Sequence, residues 1–136
     1  MNMYFRTPYV RMGRHPMRRY AGWDGTENDV FFPVDVKIGE EDFEIKALLP
    51  GLKAEDVSIQ VVNETVTLQG EFKFNVDENA SYLLEEIPGG KFCRTITLPD
   101  LLDAGKAEAE MKDGVLTVRV PKAEQAKPKT IKINAK

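Results

Sequence analysis

The sequence predicts an all-β fold, an antiparallel β-sandwich with a flexible arm at each end of the chain. Seven short runs alternate apolar and polar residues, turn-forming residues separate these runs, and no long segment has helical periodicity. The chain has 136 residues, which suits one domain with tails. Because antiparallel strands of this length bury one face and expose the other, the seven runs predict two packed sheets.

The strand runs are centred on residues 34–38, 43–47, 57–61, 66–68, 92–98, 107–111 and 116–120. Prolines lie at run ends (Pro33, Pro50, Pro99 and Pro121), where a missing backbone N–H does least harm. Asp113-Gly114 predicts a tight hairpin, since this pair readily adopts positive φ angles, and 63–64 predicts a second hairpin. Short helical turns are expected near 53–56 and 101–103.

Residues 71–91 form a connection too long for a simple hairpin. Ordered loops of this length are uncommon and usually functional. The segment contains a possible strand of its own near 81–85, followed by Pro88-Gly89-Gly90. A strand on a long loop could pair with the edge of a neighbouring subunit, which would cover two exposed edges at once.

Composition argues against the common enzyme chemistries. Cys93 is the only cysteine and His15 the only histidine, so one chain can form neither a disulfide nor a zinc site of the usual Cys/His spacing. A hydrolytic triad would have to use His15, in an irregular N-terminal stretch. No paired-acid cleft or phosphate-binding glycine loop is evident. We therefore expect no catalytic residues, no metal, no cofactor and no small-molecule ligand.

No apolar run approaches the ~20 residues that span a bilayer, and we expect a cytoplasmic protein. The first twenty residues are rich in arginine and free of acid, as in a transit peptide, but they lack serine and contain Pro8 and Pro16. Organelle import is the alternative.

Charge divides the chain into two basic ends and an acidic middle. Residues 1–23 carry five arginines and no acid, and residues 121–136 carry five lysines and one glutamate. The middle, 24–120, has 9 basic and 21 acidic residues, a net charge of −12. Nucleic-acid binding by the basic ends is one interpretation, but an acidic body would repel phosphate. We expect no nucleic-acid partner, and attraction between the ends and the bodies of other subunits.

Four motifs in order resemble the small heat-shock proteins, the α-crystallin-domain family, of bacterial or archaeal type. The segment 109–116 is similar to the family signature A-x-x-x-(N/D)-G-V-L, and 49–51 resembles its L-P-G turn. The segment 92–99 resembles F-x-R-x-x-x-L-P, and 131–133 the C-terminal I-x-I/V motif. The long loop departs from the family pattern, because Glu86 is followed by Ile87-Pro88 and only half of the usual Glu-Arg pair is present.

The resemblance implies an immunoglobulin-like sandwich and an ATP-independent holdase chaperone. Such proteins exchange the loop strand to form dimers, assemble into larger homo-oligomers, bind partly unfolded clients and leave refolding to ATP-driven chaperones. The domains are then an N-terminal arm (1–32), an α-crystallin domain (33–121) with its dimerisation loop (71–91), and a C-terminal tail (122–136). The alternative is a monomeric protein-binding sandwich of the co-chaperone CS type.

In the tail, Ile131 and Ile133 point to one side of an extended chain and form an anchor. The alternative is that they form a last strand of their own sandwich. By resemblance, the anchor binds a groove between two strands. The groove residues are Val57, Ile59, Val61, Ala107, Ala109 and Met111.

The resemblance also implies a dimer interface, formed by Tyr82, Leu84, Glu86 and Arg94. Carboxylates would satisfy Arg94 there, since a half-buried charge needs a partner; the alternative is that Arg94 extends to water at a sheet edge.

Flexible methionines and large aromatic side chains are concentrated in the N-terminal arm and predict client or oligomer contacts. An arm that only packs inside the oligomer is the alternative. These residues are Met3, Tyr4, Phe5, Tyr9, Met12, Met17, Tyr20 and Trp23.

Overall fold

The computed structural model describes residues 30–74 and 77–135, and within these ranges the fold is built from β-strands. The seven strands are β1 (Val34–Ile38), β2 (Asp42–Leu48), β3 (Val57–Val62), β4 (Thr65–Phe72), β5 (Gly90–Thr97), β6 (Glu108–Lys112) and β7 (Val115–Pro121). They form a four-stranded sheet of order β1-β2-β7-β6 and a three-stranded sheet of order β3-β4-β5. Every pairing is antiparallel, so the predicted sandwich is confirmed.

Both predicted hairpin turns are present. Asp113 and Gly114 have φ angles of 52° and 79°, the left-handed conformation that a two-residue turn between β6 and β7 requires. Asn63, with φ 52°, turns the chain between β3 and β4. Of the predicted helical turns, one is a 3-10 turn at Ala54–Asp56, but the other is at Ala104–Lys106 and not at 101–103.

The core lies between the inner faces of the two sheets. The central strands β2, β4 and β7 alternate buried and exposed residues, as their period-2 patterns predict. Phe43, Ile45, Val66, Leu68 and Val118 are 0–1% exposed. Burial of each such side chain contributes roughly 1.5–3 kcal/mol to folding, which makes these three strands the stable centre of the sandwich.

Contacts ahead of β1 establish how the two sheets are stacked. The backbone N–H of Val30 donates to the carbonyl oxygen of Lys91 (3.2 Å), and the rings of Phe32 and Phe92 meet edge to face with centroids 5.0 Å apart. The β1 edge of one sheet therefore lies beside the β5 edge of the other. Given the strand orders, β3 and β6 form the opposite side of the sandwich.

Candidate functional site

Two edge strands, β3 and β6, carry partly buried apolar side chains at the place of the predicted groove. Directly paired residues point to the same face of an antiparallel sheet, and Ile59 and Val61 pair with the buried Leu68 and Val66. The inner-facing side chains of β3 thus reach the core from the edge. On this side of the sandwich, five of the six predicted groove residues pack against the core while staying partly exposed. They are Val57, Ile59 and Val61 of β3, Ala107 just before β6, and Met111 of β6.

The sixth predicted groove residue, Ala109, is exposed and pairs with the buried Val118 of β7. It therefore faces the same side of its sheet as Met111, which pairs with Leu116. Within the described residues, β3 pairs only with β4 and β6 only with β7, which leaves one backbone edge of each strand unpaired. Such an edge can accept an extended segment through backbone hydrogen bonds, while the groove receives its apolar side chains.

The tail carries two exposed isoleucines, the kind of apolar side chain that such a groove could receive. Ile131 and Ile133 are 84% and 90% exposed, and residues 127–135 contain no strand. The alternative of a last strand in the chain's own sandwich is therefore not observed. At the start of the tail, Lys127 Nζ and Glu124 Oε1 are 2.9 Å apart across a 3-10 turn (Glu124–Ala126).

The long loop exposes its apolar residues. Tyr82 and Leu84, predicted at the dimer interface, are 50% and 56% exposed, and Leu83 between them is fully exposed. Residues 77–89 form no strand in the single chain, so the possible strand near 81–85 is not observed there. Glu86 is exposed, and no described residue forms an ion pair with it within 4 Å.

Across the sandwich, β1 pairs only with β2 among the described residues and leaves its other edge unpaired. Its inner-facing residues Val36 and Ile38 are 39% and 68% exposed, although they pair with the buried Ile45 and Phe43. Sequence analysis identified this strand but not its role, because alternation alone does not distinguish an edge strand from a central one. The exposed apolar residues on β1 add to the candidate dimer surface.

Arg94 lies half-buried on β5, where it faces its own chain. Its Nη1 donates to the carbonyl oxygen of Phe32 (3.0 Å), and its guanidinium carbon is 5.8 Å from the centroid of the Phe32 ring. The carboxylates expected to satisfy Arg94 at a dimer interface stay a prediction, because that interface involves a second subunit. Through its contacts with Phe32, Arg94 holds the segment that leads into β1.

The outer face of the four-stranded sheet carries a charge network. Arg119 lies 3.3 Å from Glu44 and 3.7 Å from Asp42, and Lys46 lies 3.5 Å from Glu44. The hydrogen bond from Arg119 lowers the pKa of Glu44 below its ordinary value. In the described part of the chain, no group of three or more His, Cys, Asp or Glu side chains is arranged to hold a metal ion.

Both the sequence and the fold of this chain are similar to those of known proteins. Residues 35–134 match the Hsp20/alpha crystallin family. The chain belongs to this family. Family membership confirms the resemblance drawn from the four motifs, and it supports a chaperone role rather than an enzymatic one. Among the described residues, no helix is long and apolar enough to cross a membrane.

Relatives of this small heat-shock protein cover most of its length. The 18 kDa antigen 2 of Mycobacterium avium is 34% identical over 129 residues, which are 92% of this chain and 93% of that protein. Heat shock protein 16.0 from Schizosaccharomyces pombe is 32% identical, with a TM-score of 0.64 over 79% of this chain and 100% of the solved chain. A small heat-shock protein from Xylella fastidiosa, described as having a distinct high order structure, is 28% identical, with a TM-score of 0.64 over 79% and 99%.

Two of the small heat-shock protein motifs touch each other in the fold. The N–H of Leu49, in the L-P-G segment, donates to the carbonyl oxygen of Gly114 in the A-x-x-x-D-G-V-L segment (2.7 Å). A Cβ at Gly114 would lie 3.2 Å from the Cα of Pro50, so the signature glycine permits both the turn and this close approach. These motifs therefore join the β6–β7 hairpin to the end of β2, next to the β6 side of the groove.

The arm residues predicted to contact clients lie outside the described residues. They are Met3, Tyr4, Phe5, Tyr9, Met12, Met17, Tyr20 and Trp23. Their role, like those of the groove, the tail anchor and the dimer interface, stays a prediction.

Proposed function

We propose that this chain is an ATP-independent holdase chaperone of the cytoplasm, which works as a dynamic homo-oligomer and binds partly unfolded proteins. The observation that supports the proposal is that one chain has partly exposed apolar side chains on its edge strands β3 and β6 and, in Ile131 and Ile133, an exposed apolar pair suited to cover them. Since the groove and the tail belong to the same kind of subunit, copies of the chain can link to one another.

The strength of a tail contact suits an exchangeable link. Burying two isoleucines contributes about 3–6 kcal/mol. Ordering the tail opposes this by about 1–2 kcal/mol for each fixed residue, before backbone hydrogen bonds offset the loss. A single tail contact is therefore marginal, whereas many contacts in one assembly hold together through effective concentration.

Dimerisation is proposed to use the other side of the sandwich. Residues 81–85 of one chain would add as a strand to the open β1 edge of a second chain, covering Val36 and Ile38 with the exposed loop residues Tyr82 and Leu84. This exchange would bury apolar surface of both chains. The high order structure described for the Xylella fastidiosa relative supports assembly beyond a single chain.

Client binding is proposed to follow from the weakness of these contacts. Heat loosens marginal arm and tail contacts, which uncovers apolar side chains for partly unfolded proteins. Methionine and aromatic side chains in the arm can repack around many partners, as a promiscuous binder requires. Refolding of the clients is left to ATP-driven chaperones.

The test combines particle mass from light scattering with suppression of thermal aggregation of a model client. The double variant Ile131→Ala/Ile133→Ala is expected to reduce the particle mass from that of a large oligomer towards that of a dimer. Client protection by the same variant, measured in parallel, separates assembly from activity. Lys132→Arg, which keeps the charge between the two isoleucines, is the matched control and should leave the mass unchanged. A wild-type protein that neither associates nor protects the client would contradict the proposal.

Removal of residues 1–23 tests the arm separately. If the arm binds clients, the truncated protein loses protection while its sandwich keeps the same far-UV circular dichroism. Unchanged protection would show that the arm is not a client site.

The second candidate is a monomeric binding module of the CS type. One observation favours it: the core residues of both sheets, such as Phe43, Leu68 and Val118, are 0–1% exposed in the single chain, so the core is buried without a second subunit. Size-exclusion chromatography separates the two candidates, because a CS-type module elutes as a monomer at all concentrations.

A further inference from the structure

An apolar hollow of about 300 Å³ lies at the end of the sandwich where the described chain begins. Its walls come from the segment before β1, the end of β2, the end of β4 and the long loop. The residues that line it include Val30, Phe32, Leu48, Phe72, Phe74 and Ile87. It is separate from the groove between β3 and β6 and shares no residue with it.

The hollow is well formed and still open to water. The rings of Phe72 and Phe74 stack with centroids 5.9 Å apart and planes 6° from parallel, which makes a flat wall. Leu48, Phe74 and Ile87 are 49%, 39% and 70% exposed. Walls of this kind offer an aromatic ring both flat contact and removal of apolar surface from water.

The sequence just before the hollow supplies one large apolar side chain. Residues 24–29, Asp-Gly-Thr-Glu-Asn-Asp, contain none, and Val30 is already part of the wall. Trp23 is the nearest large apolar residue upstream. The seven residues from Trp23 to Val30 span at most about 25 Å. Since Val30 is itself in the wall of the hollow, this length lets Trp23 reach every other wall. Asp24-Gly25 favours a turn that would direct the chain back.

The charges near Trp23 and at the rim of the hollow are opposite in sign, which agrees with an indole placed in the hollow. Arg18 and Arg19 lie five and four residues before Trp23, and the exposed Glu85 and Glu86 lie directly before Ile87 at the rim of the hollow. An indole inside would leave the guanidinium groups near the carboxylates, in water, where neither charge is buried.

We propose that Trp23 of the same chain occupies this hollow and fixes the base of the N-terminal arm to the sandwich. The short polar link gives Trp23 a high effective concentration at the hollow, so a weak contact suffices. The proposal assigns Trp23, one of the eight arm residues predicted to contact clients or other subunits, to its own sandwich and leaves the other seven as they were. Its failure would leave the holdase proposal untouched.

Trp23 is the only tryptophan of the chain, so its fluorescence reports on this one position. In the full-length wild type we expect emission at short wavelength and weak quenching by acrylamide. Leu48→Glu should shift the emission to longer wavelength and raise the quenching constant, because a carboxylate in the wall disfavours the indole. Leu101→Glu is the matched control: Leu101 is 38% exposed, lies away from the hollow, and its substitution should change neither quantity.

A second wall variant, Phe74→Glu, guards against misfolding of the first, and far-UV circular dichroism checks both. Unchanged emission in folded Leu48→Glu and Phe74→Glu proteins would overturn the proposal, and so would a wild type whose tryptophan is fully accessible to acrylamide. Mixing Leu48→Glu subunits with Trp23→Phe subunits tests for exchange between chains. No recovery of short-wavelength emission supports docking within one chain, whereas recovery would show that the hollow takes the arm of another subunit.

Discussion

At the scale of single residues, Gly70 on β4 leaves the space that the ring of Phe92 occupies. A Cβ on Gly70 would lie 2.6 Å from Cζ of Phe92 and 2.7 Å from the carbonyl oxygen of Asp56. Neither neighbour can move easily, since Phe92 is 2% exposed and the oxygen belongs to the backbone. The alternating pattern of β4 did not indicate this glycine, because the reason for it is a contact with another strand.

Gly70→Ala should therefore lower the free energy of unfolding by about 1–3 kcal/mol, the usual cost of overpacking. Urea denaturation followed by circular dichroism measures this change. Gly105→Ala is the control, since its Cβ would meet only Asp103 Oδ1 at 3.5 Å. Equal stabilities of the two variants would refute this explanation of Gly70.

The Arg119–Glu44 pair gives a pH-dependent prediction. Because the pKa of Glu44 is lower in the folded chain than in the unfolded one, its contribution to stability is present above the unfolded pKa and is lost as pH falls through the folded pKa. Arg119→Gln should raise the pKa of Glu44 towards its ordinary value. NMR titration of the carboxyl groups measures the pKa of Glu44 in the wild type and in the variant. Glu124, whose pKa is lowered by Lys127, serves as an internal control and should not shift.

At the scale of elements, the sequence predicted which residues of a strand point inward but not where the strand lies in its sheet. Ile45 and Val36 pair with each other and follow the same alternation, yet the first is fully buried and the second is 39% exposed. Whether a strand is central or at the edge of its sheet depends on long-range pairing, and a local sequence pattern carries no information on that pairing. The same limit applies to residues 81–85, whose strand pattern has no partner within the single chain.

The exposed apolar residues of β1 predict a defined effect on dimerisation. Ile38→Lys should weaken dimers at least about tenfold, because burying an isoleucine contributes roughly 1.5–3 kcal/mol and each 1.4 kcal/mol is a factor of ten. Sedimentation velocity over a concentration series, with Leu101→Lys as control, measures this. Since Ile38 is 68% exposed, the thermal midpoint of the isolated fold should change little. Wild-type dimerisation in this variant would remove β1 from the proposed interface.

At the scale of the whole molecule, the charge division met in the sequence has a structural counterpart at the groove. The outward residues of β6, Glu108 and Glu110, are exposed, and a tail bound at the predicted groove would bring Lys129 and Lys132 towards them. The attraction between the ends and the body stays a prediction of the sequence, which rests on net charge and therefore on composition. The sequence could not predict the location, because the order of the sheets places β6 at an edge.

Reversing the tail charges tests this attraction. Lys129→Glu/Lys132→Glu should reduce the oligomer mass at low ionic strength. At 1 M salt, where the Debye length is about 3 Å, variant and wild type should converge. Light scattering across a salt series gives both quantities. A difference that persists at high salt would show that the lysines act by packing and not by charge.

The predicted groove at β3 and β6 and the unpaired edge of β1 lie on opposite sides of the sandwich, which bears on how many neighbours a chain can hold. If strand exchange uses only the β1 side, each pair of chains retains two vacant grooves and two unattached tails, which gives four points of growth. Such a unit can branch, and the geometry of its links then determines whether growth closes on itself. From Pro121 to Ile131 the chain is ten residues long and reaches at most ~36 Å. The length of this short tether, rather than the rigid sandwich, would thus limit the spacing between adjacent pairs in the finished particle.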